Sequence, residues 1–172
     1  MIPTASQVED AGKLLARYLH PTRLVRAESL ERRSGSQVYL KLESELPTGS
    51  FKPRGALYAL LKNAEQGAPA GVVAASTGNH GAAVAYAASF VNVPATIFLP
   101  ENPNQVKRAR IVTLGARVVE RGAPDQFAAT EAAAAFAREQ GHYFLDDASD
   151  PSSLPAQLLL LPKSWTRHHT RM

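Results

Sequence analysis

The chain has 172 residues, 45% of them hydrophobic and 20% charged, which fits a soluble globular protein with room for one good core. Its net charge is +4, but Lys163, Arg167 and Arg171 lie in the last ten residues, which carry no acid, so the remainder is close to neutral. There is no basic stripe with interleaved aromatics and no cysteine, which argues against nucleic-acid binding and removes thiolate metal sites, disulfides and cysteine nucleophiles.

The N-terminus, MIPTASQVEDAGKLL, lacks the basic start and apolar run of a secretory signal. The longest apolar runs, such as Ala82–Ala88, are too short to span a bilayer, so no membrane partner and a cytoplasmic location are expected. Gln37–Glu43 (QVYLKLE) alternates like a strand with one wetter face. Pro47–Ala56 (PTGSFKPRGA) is a turn leading into a helix, with Pro53 in its first turn and Gly67 at its end. From Gly71 the chain alternates two periods. Gly71–Ser76 (GVVAAS), Ala95–Pro100 (ATIFLP), Ala116–Arg121 (ARVVER) and His142–Asp147 (HYFLDD) read as buried strands.

Between them lie three helical segments. HGAAVAYAASF is rich in small residues and suited to close packing on a sheet. NPNQVKRARIVTLG places Val106, Ala109, Ile111 and Leu114 on one stripe and stops at Gly115. PDQFAATEAAAAFAREQG opens at Pro124 and Asp125 and closes at Gly141. Strand–helix–strand repeated three times predicts an α/β fold: a parallel sheet with right-handed crossovers and helices on both faces. Ligands of such sheets sit beyond the carboxyl ends of the strands, where Ser76–Gly81 (STGNHG) lies.

Two loops carry candidate chemistry. A helix N-terminus next to Lys52 disfavours an ammonium, and a neutral amine is the form that attacks an aldehyde. Phe51 offers a flat apolar face to an aromatic cofactor. Taken alone, the pair reads more simply as a solvated first-turn residue and a core plug. Ser76, Thr77 and Asn79 offer short polar groups, and Gly78 and Gly81 let a ligand approach the backbone. The following helix N-terminus suits a carboxylate. Alone, this loop reads equally well as an ordinary N-cap.

Together, PTGSFKPRGA and ASTGNHGAAVAYAA resemble the fold type II (tryptophan synthase β-like) pyridoxal-phosphate enzymes, in particular the serine/threonine ammonia-lyases (threonine dehydratases) and serine racemases. The likeness runs from His20–Val25 (HPTRLV) to about Asp150. It implies that Lys52 is the Schiff-base lysine, that Phe51 packs on pyridoxal 5'-phosphate and that Asn79 hydrogen-bonds the ring hydroxyl. It implies that Ser76, Thr77, Gly78, Asn79 and His80 grip the carboxylate of a small amino-acid substrate. Thr77 falls where a racemase carries serine, which disfavours racemisation. Pro53 after the lysine and His80 after the asparagine set the chain apart from cysteine and threonine synthases. The implied reaction is β-elimination from threonine or serine to a 2-oxo acid and ammonia, in a family whose members form homo-oligomers.

The family's glycine-rich phosphate loop has no counterpart here, since no glycine follows Gly141. PSSLPAQLLLLPKSWTRHHTRM fits no layer of the preceding pattern. We read residues 1–50 as an incomplete large domain, 51–147 as the small α/β domain and 148–172 as a divergent, poorly ordered tail. On this reading the chain is truncated, QVYLKLE lacks neighbours, and the isolated chain turns over little. The alternative is a non-catalytic α/β fragment that folds and associates with an intact relative. His20, His142, His168 and His169 form no metal set, and Asp146, Asp147 and Asp150 are strand-end and loop residues.

Overall fold

In the computed structural model, residues 2–120, 122–146 and 153–158 are described. Two helices precede the region where the sequence pattern is clearest. Helix α1 (Ala5–Leu15) opens with a capping box, Thr4 accepting from the Gln7 amide while Gln7 accepts from the Thr4 amide. Strand β1 (Leu24–Arg26) leads into α2 (Glu28–Ser34), which ends at Gly35 with φ +70°. Strand β2 (Tyr39–Lys41) follows. It pairs antiparallel with β1, Leu24 opposite Lys41. QVYLKLE therefore has a neighbour on one side, which corrects the expectation that it has none.

Helix α3 (Lys52–Glu65) begins at the candidate lysine, and strand β3 is Val72–Ala75. Then come α4 (Asn79–Val91), β4 (Ala95–Phe98), α5 (Gln105–Thr113), β5 (Arg117–Val119), α6 (Gln126–Gln140) and β6 (Tyr143–Phe144). A short α7 (Leu154–Gln157) packs on α1 and α3. Strands β2 to β6 each lie inside their expected runs, and β1 falls where the sequence reading expects no strand. Helix α6 starts two residues later than Pro124, because the Asp125 carboxylate caps the Ala128 amide and sets the boundary. The remaining tail residues, with Asp147, Asp150, His168 and His169, lie outside the described residues.

The four-stranded sheet is parallel throughout, in the order β5-β4-β3-β6. The chain steps from β3 to β4 to β5, then returns past both to place β6 on the far side of β3. Right-handed crossovers then put α4 and α5 on one face and α6 on the other. Two clusters of buried side chains match these faces. One joins Ile97 and Ile111 to the alanines of α4, the other joins Val73 and Phe98 to Ala129, Ala133 and Ala137 of α6. Small side chains let both helices sit close to the sheet. Gly81 is the extreme case, since a Cβ there would stand 2.8 Å from Ile97 and 3.1 Å from Ile111.

The stripe expected on α5 is only half right. Ile111 is fully buried and Leu114 half-buried, but Val106 is 80% exposed and Ala109 is exposed. The exposed side of α5 instead carries Lys107, whose stem lies against Gly78, and Arg110, which donates to the Pro47 carbonyl.

Candidate active site

Strand order reverses between β3 and β6, and in open parallel sheets ligands bind beyond the carboxyl ends of the strands at such a reversal. Helix α3 runs antiparallel to β3, as α4 does, because a short connection of residues 66–71 turns its end into the strand. The two helices pack together, and both begin at the carboxyl end of the sheet. Lys52 is the first residue of α3 and Asn79 the first residue of α4. Neither N-terminus has a side-chain cap, whereas α1, α5 and α6 are capped by Thr4, Asn104 and Asp125. Two positive helix ends without side-chain caps thus stand at the same end of the sheet, a setting suited to an anion.

The Lys52 side chain is half-buried, its Nζ 5.0 Å from the centre of the Phe51 ring. Phe51 is half-buried rather than a core plug. In the second loop, Ser76 is buried and its Oγ accepts from the Gly78 amide at 2.9 Å. Its hydroxyl therefore shapes the turn, while Thr77 and Asn79 face outward and are exposed. His80 is half-buried, with its Nε2 2.9 Å from the Leu145 carbonyl. A carbonyl oxygen only accepts, so Nε2 carries a proton and donates. His80 thus links α4 to the residue that follows β6.

Further residues, to which the sequence reading assigns no role, contact the two loops. Arg54, on the first turn of α3 and only 7% exposed, makes a two-pronged pair with Glu43, through Nε at 2.8 Å and Nη2 at 3.0 Å. Thr22 donates to the same carboxylate at 2.7 Å. Burial works against the Glu43 charge, but the hydrogen bonds from Arg54 and Thr22 and the nearby cations prevail, holding its carboxyl below the ordinary 4.5. This knot ties the start of α3 to the N-terminal segment, so it orients Lys52. From α5, Arg110 donates to the Pro47 carbonyl at 2.8 Å, and the stem of Lys107 lies across Gly78. One helical face thus touches both loops. Arg54 and Glu43 are eleven residues apart, and only their shared proximity to the two motifs could have flagged them.

A cavity of about 440 Å³ is lined by Tyr18, His20, Thr22, Glu45, Pro47 and Tyr86, and by none of the candidate site residues Phe51, Lys52 and Ser76–His80. The two uncapped helix N-termini, headed by Lys52 and Asn79, lie outside that lining. Among the described residues, no cluster of three metal-ligating side chains occurs and no helix is long and apolar enough to cross a membrane.

The site is chemically suited to a flat, anionic aldehyde: a lysine amine beside an aromatic face, an exposed Asn79 amide and a glycine-lined loop at a helix N-terminus. The family model described as "pyridoxal-phosphate dependent enzyme" matches residues 15–158. An L-threo-3-hydroxyaspartate ammonia-lyase of Saccharomyces cerevisiae is 37% identical over 119 residues, covering 69% of this chain and 36% of its own length. An L-threonine ammonia-lyase of Thermotoga maritima is 36% identical over 155 residues, covering 90% of this chain and 38% of its own. The crystal structure of a bacterial threonine deaminase superposes with a TM-score of 0.79 at 34% identity, over 91% of this chain and 51% of that one. The chain therefore spans about half or less of the length of these relatives. Its parallel sheet, its paired helix N-termini and the match across most of its residues establish that it belongs to the fold type II pyridoxal-phosphate-dependent enzymes, among the relatives of the threonine ammonia-lyases.

Proposed function

We propose that this chain carries the lysine-bearing and carboxylate-binding half of an ammonia-lyase that deaminates threonine or serine by β-elimination. When bound, pyridoxal phosphate supplies an electrophilic carbonyl and a ring able to take up negative charge from the substrate's α-carbon. The chain's own groups do the rest. The α4 N-terminus and the Thr77 hydroxyl hold the substrate carboxylate, and Asn79 and Phe51 hold the ring. Lys52 Nζ takes the α-proton. Loss of the β-hydroxyl with one proton releases water, and hydrolysis then gives a 2-oxo acid and ammonia. A cytoplasmic setting and a homo-oligomeric whole belong to the same proposal.

The observation that carries this reading is the packing of α3, headed by Lys52, on α4, headed by Asn79, with both helices starting uncapped at the carboxyl end of the sheet. The test is to incubate the 172-residue chain with pyridoxal phosphate, reduce with borohydride and map the modified lysine by mass spectrometry. Lys52 should take up most of the label, and Lys52→Ala should abolish that labelled peptide. Label spread evenly over the surface lysines would overturn the assignment. A second reading, an α/β unit that folds and does no chemistry alone, is favoured by the 36–38% of the ammonia-lyases' length that the chain covers. Cofactor labelling at Lys52 distinguishes the two, since under both readings we expect no release of 2-oxobutanoate from threonine above controls for this chain by itself.

A further inference from the structure

Lys107 stands in the first turn of α5, outside both motifs. A Cβ built on Gly78 would stand 2.5 Å from Lys107 Cδ, 3.2 Å from Cε and 3.2 Å from Nζ. The lysine stem thus lies directly against the glycine that precedes α4, and its ammonium reaches the uncapped end of that helix. A side chain at position 78 would have to push the flexible end of the lysine aside. Three residues further along α5, Arg110 donates to the Pro47 carbonyl, so the face presenting Lys107 is pinned to the loop before Lys52. Among the described residues no carboxylate lies within ion-pairing distance of Lys107. A cation held over positive helix amides, with no acid beside it, is electrostatically unfavourable until an anion arrives.

We infer that Lys107 is a substrate-binding residue, whose ammonium pairs with the α-carboxylate of the amino acid seated on the Ser76–His80 loop. This deepens the function proposed above and rests on its assignment of that loop. The α4 amides give the carboxylate directed hydrogen bonds, and Lys107 closes over it from α5 as a counter-charge. The ligand class is a free α-amino acid with an unblocked carboxylate.

The experiment is an NMR titration of the isotope-labelled 172-residue chain, following the Gly78, Asn79 and His80 amides. L-Threonine is the probe, and L-threoninamide, which lacks the carboxylate, is the control. Lys107→Met keeps the stem and removes the charge, and Lys107→Arg keeps the charge. Lys107 is exposed, so both variants should retain the parent spectrum. Threonine should bind about tenfold or more weakly to Lys107→Met, and within about threefold of the parent to Lys107→Arg. Threoninamide binding should not depend on residue 107. Equal threonine affinity in parent and Lys107→Met, equal losses for both probes, or no threonine binding to the parent would each overturn the inference. Borohydride labelling of Lys52 on the same samples keeps the two proposals apart. Absent label with charge-dependent threonine binding sinks the cofactor chemistry alone, and normal label with charge-independent binding sinks only the role of Lys107.

Discussion

Gly81 shows how little room the second loop has. A methyl added there meets Ile97 Cγ2 at 2.8 Å, Ile111 Cδ1 at 3.1 Å and Ser76 Cβ at 3.2 Å. Both isoleucines are fully buried and β-branched, so neither can swing away. Overpacking of this kind costs about 1–3 kcal/mol, against up to about 1 kcal/mol gained from the helix propensity of alanine over glycine. Gly81→Ala should therefore lower stability by about 1 kcal/mol in urea unfolding, and its third contact should disturb Ser76, whose hydroxyl fixes the Gly78 amide. A variant as stable as the parent would show that α4 can lift off the sheet. The sequence makes the two glycines of STGNHG conspicuous, yet their uses differ in ways that spacing cannot separate. Gly81 faces the core, while Gly78 faces a flexible lysine from another helix. His80 is similar, because the motif singles it out, but only the fold brings the Leu145 carbonyl, 65 residues later, within 2.9 Å.

At the level of elements, the strand–helix alternation is legible because buried parallel strands are short β-branched runs bounded by Gly and Pro, and their periods differ sharply from those of the alanine-rich helices. Helical period tells which residues share a face but not whether anything covers it, which is why Val106 and Ala109 are exposed against expectation. Helix α1 carries a readable signal, the Thr4–Gln7 capping box, that the reading from sequence passed over. The joint between α3 and the N-terminal segment is invisible to any local pattern, since it depends on the ion pair of Arg54 and Glu43. Its pH dependence has a definite sign. The Glu43 carboxyl is held below 4.5 in the folded chain, so the stabilisation is complete above the unfolded value and is lost as pH falls through the folded one. Glu43→Gln should leave the Arg54 charge buried without a counter-charge, lowering stability at neutral pH by about 3 kcal/mol. It should also flatten the fall in stability below about pH 4.5 that the parent shows by chemical denaturation at a series of pH values. Equal slopes for the two proteins would mean that the pair contributes no linkage.

For the whole molecule, the question is which part holds and which gives way. Strand β3 is flanked on both sides by parallel neighbours, and Val72, Val73 and Ala74 are fully buried between α4 and α6. By contrast, β1 and β2 form a two-stranded sheet of three residues each, with Leu24, Tyr39 and Leu40 all about 42–43% exposed. A two-stranded sheet is marginal in water unless something packs on it. Among the described residues β1 and β2 pair only with each other, outside the parallel sheet, and the Arg54–Glu43 knot is the ion pair that ties the segment after β2 to α3. Opening free energies should differ accordingly, from near zero at exposed edges to the global value in the buried strands. Hydrogen exchange read by mass spectrometry should show the peptide over residues 37–42 exchanging orders of magnitude faster than that over 72–75. The amides of β4 should be as slow as those of β3, and Arg54→Met should accelerate the first peptide while leaving the second unchanged apart from global destabilisation. If β2 proved as protected as β3, the chain would unfold as one cooperative unit, and the N-terminal strands would be held by more than one buried ion pair.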